Sequence, residues 1–509
     1  MSNTEATERT IGWRLEAAVF ICGALVMIFE INGSRIVAPF LGSSTYIWTS
    51  LIGVILAALS VGYWIGGQVA DRRPDVRILA AVLFAAGGLV SITVLTNALV
   101  LTAISSLPVG LAVRSLLASS ILFAPASILF GFVLPFAVKL RLLSLTESGK
   151  TVGRLYAMST IGSIAGTFAA GFFLIPFVGS IRTLYLVAAT LFVLGIVLST
   201  FVFSRINLSC LIVFVFSVAA SEAERTYRYQ TNRFIDIDTE YSRLAVFDAT
   251  EERTGKRIRA VANDPYFLQS AIYLENDGLV FDYMRFFHLA EALVPRIQRS
   301  LMIGGAGYSF PKEYLRTLPE AELDVVEIDP KMTEIAREHF RLPEDSRLTI
   351  FHDDARLFLR KVESQRYDVV YMDAFSTLFS VPTHLTTAEF FRDLERSMNT
   401  GGVLAMNLGG AISGDGSKFL RAELTTLREV FAHVRVFKVD PSKRDDAVQN
   451  IIIVAGNELP SEWIANRDEK LNSLLDHELF LEPAPDLPVL TDDLAPVEYY
   501  NSIALAKNY

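Results

Sequence analysis

The sequence predicts an α-helical membrane bundle of six, possibly seven, spans followed by an α/β domain of Rossmann-like, methyltransferase-type fold with a small N-terminal β-subdomain. Three observations lead there. Apolar residues make up 51% of the 509 residues and mean hydropathy is +0.38, high for a chain that folds wholly in water. Charges are scarce up to residue 221 and recur every few residues from Glu222 onward. Beyond that shift, short apolar runs ending in glycine or acid alternate with helical patterns, as in a parallel sheet with crossover helices. The expected division is 1–221 for the transmembrane helices, 222–300 for a linker and the β-subdomain, and 301–509 for the Rossmann-like domain.

Charge-free runs mark the spans: Ala17–Phe29, Ile36–Ala70, Ile78–Val113, Ser115–Val138, Leu155–Ile181 and Thr183–Ser204. A bilayer core needs about 20 apolar residues per helix. The first run reaches that length if Glu30 sits near its end. Basic connections set the orientation: Arg9 and Arg14 before the first span, Arg72, Arg73 and Arg77 after the second, and Lys139, Arg141, Lys150 and Arg154 after the fourth. Such loops stay cytoplasmic. Six spans return the chain to that side at Arg205, and the shorter run Ile206–Ser221 is expected not to cross. A seventh crossing would carry the C-terminal domain away from a cytoplasmic nucleotide pool. The expectation is an integral protein of the cell inner membrane, with the bilayer as partner and the soluble domain cytoplasmic.

Smaller features qualify this plan. The N-terminus MSNTEATERTIGWRLE lacks the pattern of a cleavable signal. Glu30 and Arg35 flank an expected helix break at Asn32-Gly33, and ionisable groups at that depth pair or line a polar cavity. Gly162, Gly166 and Gly171 suit close helix packing. Cys22 and Cys210, both in apolar stretches, exclude a disulfide framework and a zinc site. The net charge of −9 resides mainly in the C-terminal half and argues against nucleic acid as a partner.

In the soluble half, YSRLAVFDAT and RIRAVAND alternate as strands do, and YMRFFHLAEALV reads as a helix. The run SLMIGGAGYS feeds a strand into Gly304-Gly305-Ala306-Gly307, where glycines admit a ligand close to the backbone. The strand LDVVEID ends at Glu327, about twenty residues on, where nucleotide-binding folds keep an acid for the ribose hydroxyls. LTIFHDDARLFL ends a third strand at Asp353-Asp354, placed to accept an adenine amino group, and YDVVYMDAFS ends a fourth at Asp373. GGVLAMNL supplies a fifth. Ligands of open parallel sheets sit beyond the carboxyl ends of the strands, so these groups converge on one crevice. No glycine–lysine loop for a triphosphate occurs. His288, His339 and His352 are dispersed and suggest no metal set, while His384 in VPTHLTT follows the Asp373 loop and is placed to cap the pocket.

From Asp238 onward the chain resembles the polyamine aminopropyltransferases, the spermidine synthase family, through EYSRLAVFD, VVEIDPKMTEIAREHF, DDARLFL, YDVVYMDAF and LTDDLAPVEYY. The N-terminal half resembles the membrane domain fused to such synthases, through EINGSRIVAPFLGSSTYIWTS and GRLYAMSTIGSIAG. The resemblance implies attack on the γ-carbon beside the sulfonium of S-adenosylmethionine or its decarboxylated form, releasing methylthioadenosine. No further cofactor and no metal are implied, and a homo-oligomer is left open. It implies Asp373 as the catalytic residue, Glu327 on the ribose and Asp354 on the adenine. The loop Gly304, Gly305 and Gly307, with Gln269 and Tyr283, would line the thioadenosine and propyl pocket.

Five positions depart from the family. Gly307 replaces the aspartate that grips the donor amine, Ser376 replaces the second acid after Asp373, Met284 and Arg285 replace a histidine–glutamate pair after Tyr283, and Ser242 replaces a glutamine. A diamine acceptor is a dication whose attacking nitrogen must lose a proton, so losing carboxylates removes both attraction and base. Arg285, if it faces the pocket, would suit the carboxylate of intact S-adenosylmethionine. The expected chemistry is therefore alkyl transfer to an amine, or internal attack by the donor's own carboxylate or amine, which orientation alone can accelerate. Methyl transfer and a nucleoside-binding transporter or sensor are the competing expectations.

Overall fold

The computed structural model describes residues 2–142, 148–199, 204–264, 267–374, 382–459, 469–481, 484 and 486–508. The chain divides into one unit of residues 1–231 with 236–243, and a second of residues 232–235 with 244–509.

The first unit is helical: α1 (Ser2–Leu41), α2 (Thr45–Arg72), α3 (Val76–Ser105), α4 (Leu111–Leu122), α5 (Ala124–Gly131), α6 (Val133–Arg141), α7 (Ser148–Ala169), α8 (Ser180–Leu198) and α9 (Arg205–Asn232). A π-helical stretch, Ala170–Val178, continues α7 around Pro176 and ends at Gly179 with φ of 90°. Seven helical segments among the described residues are long and apolar enough to cross a membrane. One is Arg205–Asn232, so the run Ile206–Ser221, expected not to cross, belongs to a continuous helix of 28 residues that is long and apolar enough for the possible seventh span. Its apolar run looks short in sequence because the last turns, from Glu222, are charged while remaining helical.

The break expected at Asn32-Gly33 is also absent, for α1 runs through it. Gly33 offers the flat surface on which the Phe123 ring and Leu51 pack, and the Asn32 side chain donates across the bundle to the Ser180 carbonyl at 2.7 Å rather than to its own backbone. Helices α1 and α7 approach closely through small residues. A Cβ on Gly162 would lie 2.0 Å from the Phe20 carbonyl, and one on Gly166 would lie 2.3 Å from that of Ala24. Gly171 faces open space and takes no part in that contact.

After α9 the chain forms a four-stranded sheet of order β1 (Ile235–Asp238), β2 (Arg243–Thr250), β3 (Arg257–Ala262) and β4 (Leu268–Tyr273), with β2, β3 and β4 paired antiparallel; residues 236–243 are counted with the first unit and those from Leu244 on with the second. Its apolar face gathers Ile258, Ala260, Ala271, Tyr273 and Val280. Helix α10 (Tyr283–Phe286) then leads to an eight-stranded sheet.

That sheet has a parallel part of β5 (Arg299–Ile303), β6 (Glu322–Val326), β7 (Leu348–Phe351), β8 (Tyr367–Met372) and β9 (Met398–Gly410), in the order β7-β6-β5-β8-β9. Beyond β9 the antiparallel strands β11 (Gln449–Gly456), β10 (His433–Lys438) and β12 (Glu478–Leu479) complete it. Helices α11 (Ser309–Thr317), α12 (Pro330–His339), α13 (Ala355–Lys361), α14 (Ala388–Ser397) and α15 (Lys418–Val430) connect the strands. Two more, α16 (Glu469–Leu475) and α17 (Val497–Asn508), close the chain. The strand order reverses between β5 and β8, and a crevice opens at such a switch point beyond the carboxyl ends of the two strands.

Candidate active site

The crevice is built on the turn after β5. Gly304 takes φ of 90°, and a Cβ there would lie 2.3 Å from the Asp373 carbonyl, so only glycine lets the β5 and β8 ends touch. Ala306 and Tyr308 also adopt positive φ, 43° and 53°, a strain that functional loops retain when their surroundings enforce it. Glu327, at the end of β6, provides that enforcement. Its Oε2 accepts from the amides of Gly305 at 2.9 Å and Ala306 at 3.0 Å, and its Oε1 accepts from the Asp329 amide at 3.0 Å. Burial pushes the Glu327 carboxyl above the usual carboxylate range, and the three amides pull it back.

Asp373 extends from β8 into the same space. Its Oδ2 accepts from the Tyr283 hydroxyl at 2.7 Å and its Oδ1 from the Asn407 amide at 3.0 Å. Burial raises its pKa, with the bonds from Asn407 and Tyr283 opposing. The Tyr283 ring is buried, stacked on Phe281 with centroids 5.9 Å apart, and burial together with the Asp373 charge holds its phenol protonated. Asn407 went unnoticed in the sequence. It is buried in β9 one residue past the pairing of Met372 with Met406, and its Oδ1 has no hydrogen-bond partner among the described residues. The one available signal was a single polar side chain inside the apolar run GGVLAMNL.

Asp354 caps α13, accepting from the amides of Arg356 and Leu357, and its Oδ2 lies 2.9 Å from His384 Nε2. His384 follows residues 375–381, so Ser376 lies outside the described residues. The tail segment LTDD reaches the same corner, where Asp492 binds Arg356 through both oxygens, at 2.6 and 2.5 Å, and Thr387 at 2.9 Å. Gln269 is half-buried on β4, the strand that flanks the glycine turn.

Two departures from the family acquire physical meaning. A Cβ on Gly307 would sit 2.6 Å from Ser270 Oγ and 3.0 Å from the Phe340 ring, and Ser270 in turn touches Ser309 Oγ at 3.0 Å. The space a side chain would need at this position is thus filled by β4 and Phe340. Gly307→Asp is expected to lower thermal stability without strengthening capture of a donor amine; a tighter-binding, equally stable variant would contradict this packing. Arg285 corrects an expectation: it is exposed and ion-paired with Asp282 at 3.1 Å, so the conditional argument for a donor carboxylate loses its support. Met284 is buried. Behind Tyr283 lies a cleft of about 270 Å³ lined by Phe281, Asp282, Asp440, Lys443 and Gln449, among others.

A glycine turn and acids closing successive parallel strands, in the order β7-β6-β5-β8-β9, define an α/β domain of Rossmann-like, methyltransferase-type topology. Residues 283–437 match the spermine/spermidine synthase domain, and an apolar helical region precedes them in the chain. Over 222 residues the chain is 27% identical to a polyamine aminopropyltransferase of Vibrio vulnificus, covering 43% of this chain and 71% of that one. A polyamine aminopropyltransferase of Mycobacterium tuberculosis is 24% identical over 437 residues, 80% of each chain, a match that extends into the helical half. Among solved structures, a probable spermidine synthase from Corynebacterium glutamicum aligns with TM-score 0.39 and 24% identity over 46% of this chain and 83% of its own. The spermidine synthase of Thermotoga maritima aligns with TM-score 0.34 and 17% identity over 47% and 82%.

Proposed function

We propose that the chain is a membrane-integral alkyltransferase that takes S-adenosylmethionine or its decarboxylated form as substrate and releases methylthioadenosine. The observation that carries this is Asp373, held between Tyr283 and Asn407 at the carboxyl end of β8 and touching the glycine turn. In the reaction, the nucleophile's lone pair forms a bond to the γ-carbon. The carbon–sulfur bond breaks, its electron pair neutralises the sulfonium, and a thioether leaves. A nitrogen nucleophile then carries a surplus proton, which the Asp373 carboxylate accepts. Burial makes that carboxylate a stronger base than an exposed one, and its two hydrogen bonds keep it aimed.

The nucleoside is assigned to the crevice by chemistry. A carboxylate oxygen has two acceptor sites, so Glu327 Oε1, with one amide donor, retains capacity for a ribose hydroxyl. Asp354 Oδ2 faces His384, and an adenine amino group would compete for it. Gln269 and Tyr283 are assigned to the thioadenosine and propyl portions. The filled space at Gly307 argues against an ordinary spermidine synthase. The acceptor is assigned either to an amine in the cleft behind Tyr283 or to the donor's own carboxylate or amine. We read the seven apolar helices as bilayer spans in the cell inner membrane.

Product identification tests the proposal. Purified full-length protein incubated with each donor, with and without amines, should yield methylthioadenosine by mass spectrometry. S-adenosylhomocysteine alone would instead indicate methyl transfer, and no nucleoside product under any condition would overturn alkyl transfer.

A further inference from the structure

We infer that the chain crosses the membrane seven times and that its C-terminal domain lies outside the cytoplasm. The helical unit has two chemically distinct ends. At one, Arg14 near the start of α1 donates to the Val197 carbonyl near the end of α8, at 3.4 Å. Glu16 pairs there with Arg154 at 2.8 Å and Arg141 at 3.6 Å. Lys139 pairs with Asp71 at 2.7 Å, which brings the α2–α3 and α6–α7 connections to the same end. Arg205, which opens α9, follows the end of α8 by a short connection and so starts from this basic end.

The other end lies farther along α1, about 27 Å from Arg14 at the helical rise of 1.5 Å per residue. There Asn32 donates to the Ser180 carbonyl at 2.7 Å. Ser180 itself donates from its amide and hydroxyl to the two oxygens of Asp238, at 2.8 and 2.6 Å, and Arg35 donates to the Glu240 carbonyl at 2.5 Å. Asp238 and Glu240 follow α9 in the chain and belong to the helical unit. The segment after α9 is therefore held at the end opposite the one where α9 begins.

Contacts along α9 agree. The Cβ position of Gly88 lies 3.0 Å from Cys210 Sγ, and Ser217 Oγ donates to the Ser91 carbonyl at 3.0 Å, so α9 ascends in the same direction as α3. Against α8 it runs the other way: Phe214 meets Phe192 at 5.4 Å, while Ser221 reaches Tyr185 at 2.6 Å. From Ile206 to Ser221 the helix rises about 22 Å, and the charged turns beyond emerge from a hydrocarbon core of about 30 Å.

Lysines and arginines retained beside spans mark the cytoplasmic side. The far end carries fewer: Arg35, Arg114 and Arg182, with Arg225, Arg228 and Arg233 where α9 emerges, against Arg9, Arg14, Arg72, Arg73, Arg77, Lys139, Arg141, Lys150, Arg154 and Arg205 at the basic end. Arg114 is moreover buried, with Nε and Nη2 donating to the Leu107 carbonyl. Seven crossings from a cytoplasmic start leave the C-terminal domain outside. If the donor is the sulfonium nucleoside proposed above, its fixed charge bars passive diffusion through the bilayer, so a transport step must supply it.

Two single substitutions in the full chain test the side. Glu338, 71% exposed, lies in the C-terminal domain, and Asp71, 69% exposed, lies in the last turn of α2 at the basic end. In right-side-out spheroplasts a membrane-impermeant maleimide should label Glu338→Cys at once and Asp71→Cys only after permeabilisation. The reverse pattern, or equal labelling of both or of neither before permeabilisation, overturns the inference. Should a variant fail to accumulate, C-terminal fusions of the natural chain decide: alkaline phosphatase active and a cytoplasm-dependent fluorescent protein dark supports it, and the converse overturns it. Labelling reads only the side, so it can fail while methylthioadenosine still forms, and the two proposals are separately refutable.

Discussion

Replacing Asp373 with asparagine is expected to lower turnover by about 10²–10⁴-fold, the usual worth of a positioned proton acceptor, with nucleoside affinity little changed. The asparagine carbonyl can still accept from Asn407, and its amide can donate to the Tyr283 oxygen, so the side chain keeps both neighbours. What it loses is the ability to take a proton. Single-turnover kinetics beside calorimetric binding of methylthioadenosine would separate the two quantities. Equal turnover would remove Asp373 from the chemistry. The pH profile adds a test that a structural role would not satisfy. Burial raises the pKa of Asp373, so its basic form, and with it activity, should appear with rising pH above the ordinary carboxylate range. Tyr283→Phe and Asn407→Ala each remove a bond that favours the charged form, leaving burial less opposed. Their acid limbs should move to higher pH; a shift to lower pH would show that these bonds do not stabilise the carboxylate.

Glu327, Asp354 and Asp373 were legible before any coordinates because each closes an apolar run at a strand's carboxyl end. In a parallel sheet that position leads to the ligand face. Asn407 was not legible, for it sits inside a strand and only the β8–β9 register brings it beside Asp373. Arg285 illustrates the converse. The sequence placed it two residues after a pocket tyrosine, but the first turn of α10 sends it out to Asp282 while Tyr283 and Met284 turn inward.

The helical half was legible in its hydropathy and less so in its continuity. Asn32-Gly33 carries the composition of a break, yet partners from other helices satisfy Asn32 and fill the space beside Gly33, so tertiary packing overrides local propensity. The full length of α9 was less legible for a related reason. Charge marks where a helix leaves hydrocarbon, not where it stops being a helix, and the partners of Ser217 and Ser221 lie far from it in sequence.

Glu327→Gln is expected to weaken nucleoside binding by about 10–100-fold, because the substitution leaves at least one buried amide of the turn facing another donor, a loss of about 1–3 kcal/mol. The amides at stake are those of Gly305, Ala306 and Asp329, and the first two belong to a turn whose Ala306 and Tyr308 hold unfavourable backbone angles. Releasing that turn also disturbs Gly304, which abuts the Asp373 carbonyl, so turnover should fall as well, though by less than in Asp373→Asn. Amide hydrogen exchange at Gly305 and Ala306 should accelerate in the unliganded variant. Affinity and exchange both unchanged would mean that Glu327 neither holds the turn nor meets the ribose, and the assignment of the crevice to an adenosine would lose its anchor.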